Sequence, residues 1–208
     1  MARILKDYPS VALKPEQLNG KIDFVLVFGR RGPVHIEIGA GKAAFILNQA
    51  MAQPTVNFLG IERAGRYYRY AVDRIGRHGL TNVRIIRIDA AAFLADFFPA
   101  GSVDCLHIYF PDPWPKKRHH KRRFFCPANL EQLIRTLKPG GQIRVATDHA
   151  DYFELITSLM AANADRLEPA QFLPTAGAGQ DEWVGTNFER KYLKKKRTIY
   201  TLAVTKIV

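Results

Sequence analysis

From Val34 onward, short apolar runs alternate with segments of helical spacing. Residues 34–38, 57–61, 83–88, 103–109 and 142–147 are apolar runs of strand length, rich in β-branched side chains. Between and after them, the segment from the Gly39-Ala40-Gly41 turn through about residue 52, and residues 64–78, 90–97, 127–137 and 152–162, read as helices. Lys138-Pro139-Gly140-Gly141 breaks the chain between the helix at 127–137 and the strand at 142–147, and Pro127 suits the first turn of that helix. Regular strand–helix alternation predicts an α/β fold, a parallel sheet with helices on both faces. Residues 174–179 read as a loop, and residues 198–204 as a closing strand. Residues 1–33, with Pro9, Pro15, Gly20 and Gly32 and one apolar run at 24–28, read as an N-terminal extension that packs partly on the 34–208 domain.

That fold predicts where a ligand binds. In such sheets it lies outside the carboxyl ends of the strands, where the strand order reverses. Gly39–Gly41, Glu62, Asp89, Asp112 and Asp148 each follow or end a predicted strand, so they gather along one edge.

Composition adds a partner. The 208 residues hold 31 Lys or Arg against 19 Asp or Glu, a formal charge of +12. Such a surplus attracts phosphate backbones or anionic surfaces. No apolar stretch has the length of a membrane span, and residues 1–10 lack the apolar core of a signal peptide. Cys105 and Cys126 form neither a disulfide framework nor a metal-ligand spacing, which fits a reducing cytoplasm. His119 and His120 have no acidic or Cys partner at ligand spacing, so no metal is expected there.

Several residues point to chemistry. Gly39-Ala40-Gly41 lets a ligand approach the backbone between strand and helix, and Glu62 ends the next strand where a carboxylate would take ribose hydroxyls. Both features suit NAD as well as S-adenosylmethionine. Glu37 separates the two: a carboxylate there repels a pyrophosphate and favours a sulfonium or ammonium. A capped surface position is the alternative for Glu37, and helix capping is the alternative for Asp89 and Asp148.

Residues 110–123 read Phe-Pro-Asp-Pro-Trp-Pro-Lys-Lys-Arg-His-His-Lys-Arg-Arg. Three prolines forbid helix or central strand, so Asp112 and Trp114 are expected on a stiff, extended loop. The cationic run that follows is either a solvated surface or a phosphate-binding face. This stretch resembles the signature loop of the bacterial tRNA (guanine-N7)-methyltransferases. The resemblance extends to Glu-Ile-Gly-x-Gly at 37–41, Gly60-Ile61-Glu62, 137–141, Ala146-Thr147-Asp148 and Thr186-Asn187-Phe188-Glu189. Where that family usually continues its glycine loop with another Gly and an acidic residue, this chain has Ala43 and Ala44.

The resemblance implies a Rossmann-like class I methyltransferase fold, a mostly parallel seven-stranded sheet whose last strand is antiparallel. It implies methyl transfer from S-adenosylmethionine to N7 of a guanine in the tRNA variable loop. Glu37, Gly39, Gly41, Glu62, Asp89 and Asp112 would contact the donor, with Asp112 catalytic. Lys116, Asp148, Thr186, Asn187, Phe188 and Glu189 would contact the substrate. Arg118, His119, His120, Lys121, Arg122 and Arg123 would lie against tRNA. The N7 lone pair needs no deprotonation, so alignment and charge stabilisation suffice. N7 must stay open, which leaves the Watson–Crick edge for Asp112, Asp148 or Glu189 and the base face for Trp114 or Phe188. An NAD-dependent Rossmann enzyme and a non-catalytic RNA-binding module remain as alternatives, and the oligomeric state, monomer or homodimer, is open.

Overall fold

The structure, a computed structural model, describes residues 4–208. Eight strands form one sheet: β1 (Ala12–Leu13), β2 (Val34–Ile38), β3 (Asn57–Ile61), β4 (Val83–Ile86), β5 (Val103–Tyr109), β6 (Leu137–Thr147), β7 (Leu167–Ala170) and β8 (Tyr200–Lys206). Their order is β1-β4-β3-β2-β5-β6-β8-β7. From β1 to β6 the neighbours pair in parallel, while β8 runs antiparallel to both β6 and β7. After β2 the chain winds outward through β3 and β4, then returns to lay β5 on the other side of β2. Strand order therefore reverses between β2 and β5, the switch point at which a ligand crevice opens.

Alternation along the strands sorts two cores. Val34, Ile36 and Ile38 of β2 join Leu106 and Ile108 of β5 on one face, under α1 (Phe24–Phe28), α4 (Ala90–Phe97), α5 (Pro127–Thr136) and α6 (Ala150–Ala161). The other face packs Phe58, Val83 and Ile85 against α2 (Ala44–Ala52) and α3 (Gly65–Arg77). On that second face β2 carries His35 and Glu37, so the sheet centre there is polar rather than aliphatic. The remaining helix, α7 (Asn187–Lys194), sits before the last strand.

The sheet has eight strands where seven were expected. The extra one is β1, two residues of the N-terminal segment that pair with Ile85 and Ile86 at the sheet edge. The run at 24–28 is a helix, capped by the Asp23 carboxylate, which accepts from Val25 and Leu26 N–H, and ended by Gly29 at φ 69°. Phe24 and Phe28 enter the main core. Lys138–Gly141 does not separate α5 from the following strand. Leu137 already pairs with Val103, and the register then shifts so that Cys105 faces Gln142. The four residues are absorbed as an irregularity in β6, with Gly140 at φ 76°. No helix among the described residues is long and apolar enough to cross a membrane.

Gly60 fixes how closely the glycine turn and α2 approach the sheet, Ile46 Cδ1 of α2 lying 3.3 Å from where its Cβ would stand. A Cβ there would stand 2.7 Å from Ile85 Cδ1 and 3.0 Å from Ala40 Cβ. Gly60→Ala should therefore destabilise the protein by about 1–3 kcal/mol through overpacking. A denaturant midpoint equal to that of the parent chain would contradict this packing.

Candidate active site

Glu37 lies on the central strand between Gly60 of β3 and His107 of β5. It is 5 % exposed, and its Oε2 atom has no hydrogen-bond partner. Burial, and next the carboxylate of Glu62, push its pKa well above the usual carboxylate range, against an opposing hydrogen bond at the Ile46 backbone. A buried carboxylate oxygen without a partner costs free energy and favours a cation beside it. Its open side is a cavity of about 230 Å³, lined also by Gly39, Gly41, Phe45, Tyr109, Phe110 and Phe188.

The glycine turn forms one wall. Gly39 and Gly41 have φ of 81° and 54°, and a Cβ on Gly39 would meet nothing within 4 Å, so the turn faces open space. Glu62 fastens this turn: its two oxygens accept from Gly41 N–H at 2.8 Å and Ala64 N–H at 2.7 Å. Ala43, standing where a third glycine was expected, takes the left-handed conformation at φ 54° and is fully buried. The strain of that conformation, about 1–2 kcal/mol, is partly offset by the buried methyl, worth roughly 0.8 kcal/mol. The chain thus keeps the glycine-loop geometry without the glycine.

The loop after β5 forms the second wall. Phe110 and Trp114 have φ of 51° and 43°. Trp114 was expected on an extended backbone; the left-handed turn instead folds its indole back onto the cationic run. His119 meets the indole edge-on at 5.9 Å, and the Arg122 guanidinium lies 5.0 Å above it. Trp114 is therefore engaged with its own loop rather than presented to a base. Arg123, grouped with the RNA face from sequence, turns inward. It is 5 % exposed, donates to Pro113 C=O at 2.8 Å and to Asp151 at 2.5 Å, and lies over the Tyr152 ring. It pins the loop to α6. Lys116, Arg118, Lys121 and Arg122 are exposed, and His119 and His120 half-buried. Asp112 is exposed and its carboxylate makes no hydrogen bond or ion pair among the described residues.

The start of α7 closes the cavity. Thr186 caps it by accepting from Glu189 N–H at 3.0 Å. Glu189, 0 % exposed, accepts from Trp183, Val184 and Gly185 N–H at 2.6, 3.0 and 2.7 Å. Its carboxylate is committed to the backbone that leads into the helix. Asn187 and Phe188 project beside the cavity, and Phe188 is half-exposed. Phe110, Phe188 and Tyr192 form an aromatic group, with ring centroids 5.5–6.3 Å apart. Asp148 accepts from Arg197 at 2.5 Å, and the same guanidinium covers the Tyr192 ring at 5.1 Å, so this pair ties the end of β6 to the end of α7. Asp89 caps α4 through Ala91 and Ala92 N–H and faces Arg63 at 3.6 Å.

The cavity thus gathers Glu37, Gly39, Gly41, Thr186, Asn187 and Phe188. Asp112, Glu62 and Asp89 are not among its lining residues: Asp112 stands two residues beyond Phe110, Glu62 holds the glycine turn, and Asp89 caps α4. Sequence reading missed Tyr109, Phe110 and Tyr67 as lining residues. Strand parity contained a signal for Tyr109, because His107 and Tyr109 share the face of Glu37. The Tyr109 hydroxyl, His107 and His35 form a buried chain at 2.8 and 3.2 Å, and burial lowers the pKa of both imidazoles. With Cys105 these histidines are the group with metal-ligand proximity among the described residues, their atoms within 4.8 Å.

A family model described as "Putative methyltransferase" matches residues 31–202. The tRNA (guanine-N(7)-)-methyltransferase of Streptococcus thermophilus (strain CNRZ 1066) is 34 % identical, over 94 % of this chain and 91 % of its own length. The protein of that name from Alkalilimnicola ehrlichii is 37 % identical over 94 % and 81 %. Among solved structures, a SAM-dependent methyltransferase from Aquifex aeolicus superposes with a TM-score of 0.57 at 14 % identity, covering 88 % of this chain and 87 % of that one. A 30S ribosomal methyltransferase from an uncultured bacterium gives 0.63 at 16 %, covering 90 % and 95 %. The methyltransferase fold is common to all of them.

Glu189 serves as an anchor, which predicts a structural phenotype. Glu189→Gln removes a charged acceptor shared by three N–H donors and should lower stability by about 2 kcal/mol. Unchanged stability with reduced tRNA affinity would instead make this carboxylate a substrate contact.

Proposed function

We propose how this chain, which belongs to the tRNA (guanine-N7)-methyltransferase family, performs its reaction: methyl transfer from S-adenosylmethionine to N7 of a guanine in the variable loop of tRNA. The observation that carries the reading is Glu37, buried and half-unpartnered beside an open glycine turn. When bound, S-adenosylmethionine supplies an electrophilic methyl group on a cationic sulfur. Glu37 offsets positive charge on that ligand, whereas the pyrophosphate of NAD would be repelled there. Gly39 and Gly41 allow close backbone approach, with Glu62 holding the turn in place.

The base enters beside Phe110 and Phe188, whose rings pack on each other and line the cavity. Asp112 has the free carboxylate of the site, and we assign it the N1–H and N2–H₂ donors of guanine. N7 then faces the donor with its lone pair open, and no side chain need remove a proton. As the base becomes cationic, the Asp112 carboxylate stabilises it. Asp148 acts at one remove, through Arg197, by orienting α7 and hence Asn187 and Phe188. Lys116, Arg118, His119, His120, Lys121 and Arg122, with Lys191, Lys194, Lys195 and Lys196, take the phosphates of a tRNA met in the cytoplasm.

Asp112 tests the mechanism. Asp112→Asn keeps the shape and removes the charge. Single-turnover transfer should slow by on the order of 10²-fold, with donor binding by calorimetry largely preserved. In the parent chain the single-turnover rate should stay flat across mildly alkaline pH, because no base titrates. Near-parental transfer by Asp112→Ala would remove any catalytic role for this position.

A further inference from the structure

A second cationic face adjoins the same cavity through Tyr67 of α3, which lines it. The N-terminal half of α3 reads Gly65-Arg66-Tyr67-Tyr68-Arg69-Tyr70. Its inner side is buried through Ala71, Val72 and Ile75, which leaves Arg66, Tyr67 and Arg69 exposed. Arg66 and Arg69, three residues apart, share one face of α3, and Arg63 lies just before the helix. Arg87 joins them: its guanidinium carbon lies 2.9 Å from where a Cβ on Gly65 would stand. Arg66, Arg69 and Arg87 make no side-chain hydrogen bond or ion pair among the described residues.

The alternative is a solvated helix face, and three observations weigh against it. Such faces interleave opposite charges, whereas residues 65–70 hold no carboxylate. Cations near a helix N-terminus are disfavoured by its dipole unless an anion accompanies them. Tyrosines alternate with the arginines, and Tyr67, 43 % exposed, reaches the cavity wall itself. The carboxylates in this region are Asp89, held by Arg63 at 3.6 Å with both side chains largely exposed, and Asp7 and Glu16 near Tyr68. An exposed pair of that kind contributes little and yields readily to a phosphate.

We propose that this face of α3 is a second tRNA-binding surface, placed so that the RNA crosses the donor cavity with phosphates held on both sides of the target base. Sheet order supplies the placement. The α3 face follows β3, the glycine turn follows β2, and the cationic loop follows β5, three adjacent strands. The outer two ends are about 10 Å apart, within reach of nucleotides flanking a single extruded base. Tyr67 offers its ring to one of those neighbours. The inference rests on the tRNA reading given above.

The test compares two triple variants of the full chain. Arg66→Ala/Arg69→Ala/Arg87→Ala removes the α3 face; Arg118→Ala/Lys121→Ala/Arg122→Ala removes the loop face. Binding of unmodified tRNA is measured by fluorescence anisotropy across a salt series. The α3 variant should lose affinity by on the order of tenfold, and its log–log salt slope should flatten by about 2–3. Donor binding by calorimetry should not change, and the corresponding Lys triple should retain the parental slope. A parental slope in the α3 variant, with a flattened slope in the loop variant, overturns the α3 surface alone. Parental slopes in both overturn the RNA reading itself.

Discussion

A carboxylate buried at the centre of a parallel sheet, with one oxygen lacking a partner, is the constraint around which this protein is arranged. Glu37 is hidden because β2 is flanked on both sides and roofed by α2, and Gly60 lets that roof come close. A group in that position is costly in the free protein. Its cost is relieved by a cationic ligand, which ties the chemistry of the site directly to the packing of the fold. The glycine turn, fastened by Glu62, and the ring of Phe110 then give such a ligand a defined place.

Around that centre the charged residues divide into those that build and those that remain free. Arg123, Glu189 and Glu62 look like functional side chains in a signature loop and two motifs, yet each is consumed by the backbone. Arg123 holds the Pro113 carbonyl, Glu189 three consecutive N–H groups, and Glu62 the turn. Their work is preorganisation. It sustains left-handed Phe110 and Trp114, each strained by on the order of 1–3 kcal/mol, and keeps α7 against the cavity. Asp112 is left uncommitted two residues beyond Phe110, which lines the cavity, and an uncommitted carboxylate is what a group that meets the substrate requires.

Much of this was legible in the sequence. Strand alternation located β2 to β6 and hence the edge on which ligands bind, and the odd chemistry of residues 110–123 identified the family. What stayed hidden was direction. A run of six cations does not disclose that Arg123 points inward, and a Thr-Asn-Phe-Glu motif does not disclose that its Glu faces its own backbone. The two-residue strand β1 lies below the length at which periodicity is visible. The helix at 24–28 was missed although Asp23 and Gly29 mark both its ends. The aromatic group depends on Tyr192 arriving from a distant helix, a contact that no local pattern encodes.

The protonation of Glu37 tests the central claim most directly. If burial holds its pKa high in the free protein, binding a cationic donor must expel a proton. Titration calorimetry of S-adenosylmethionine in buffers of different ionisation enthalpy should show proton release, with affinity rising as pH increases above the usual carboxylate range. Glu37→Gln should abolish both the release and the pH dependence. Donor binding with no proton exchange, and with parental affinity in Glu37→Gln, would contradict the account.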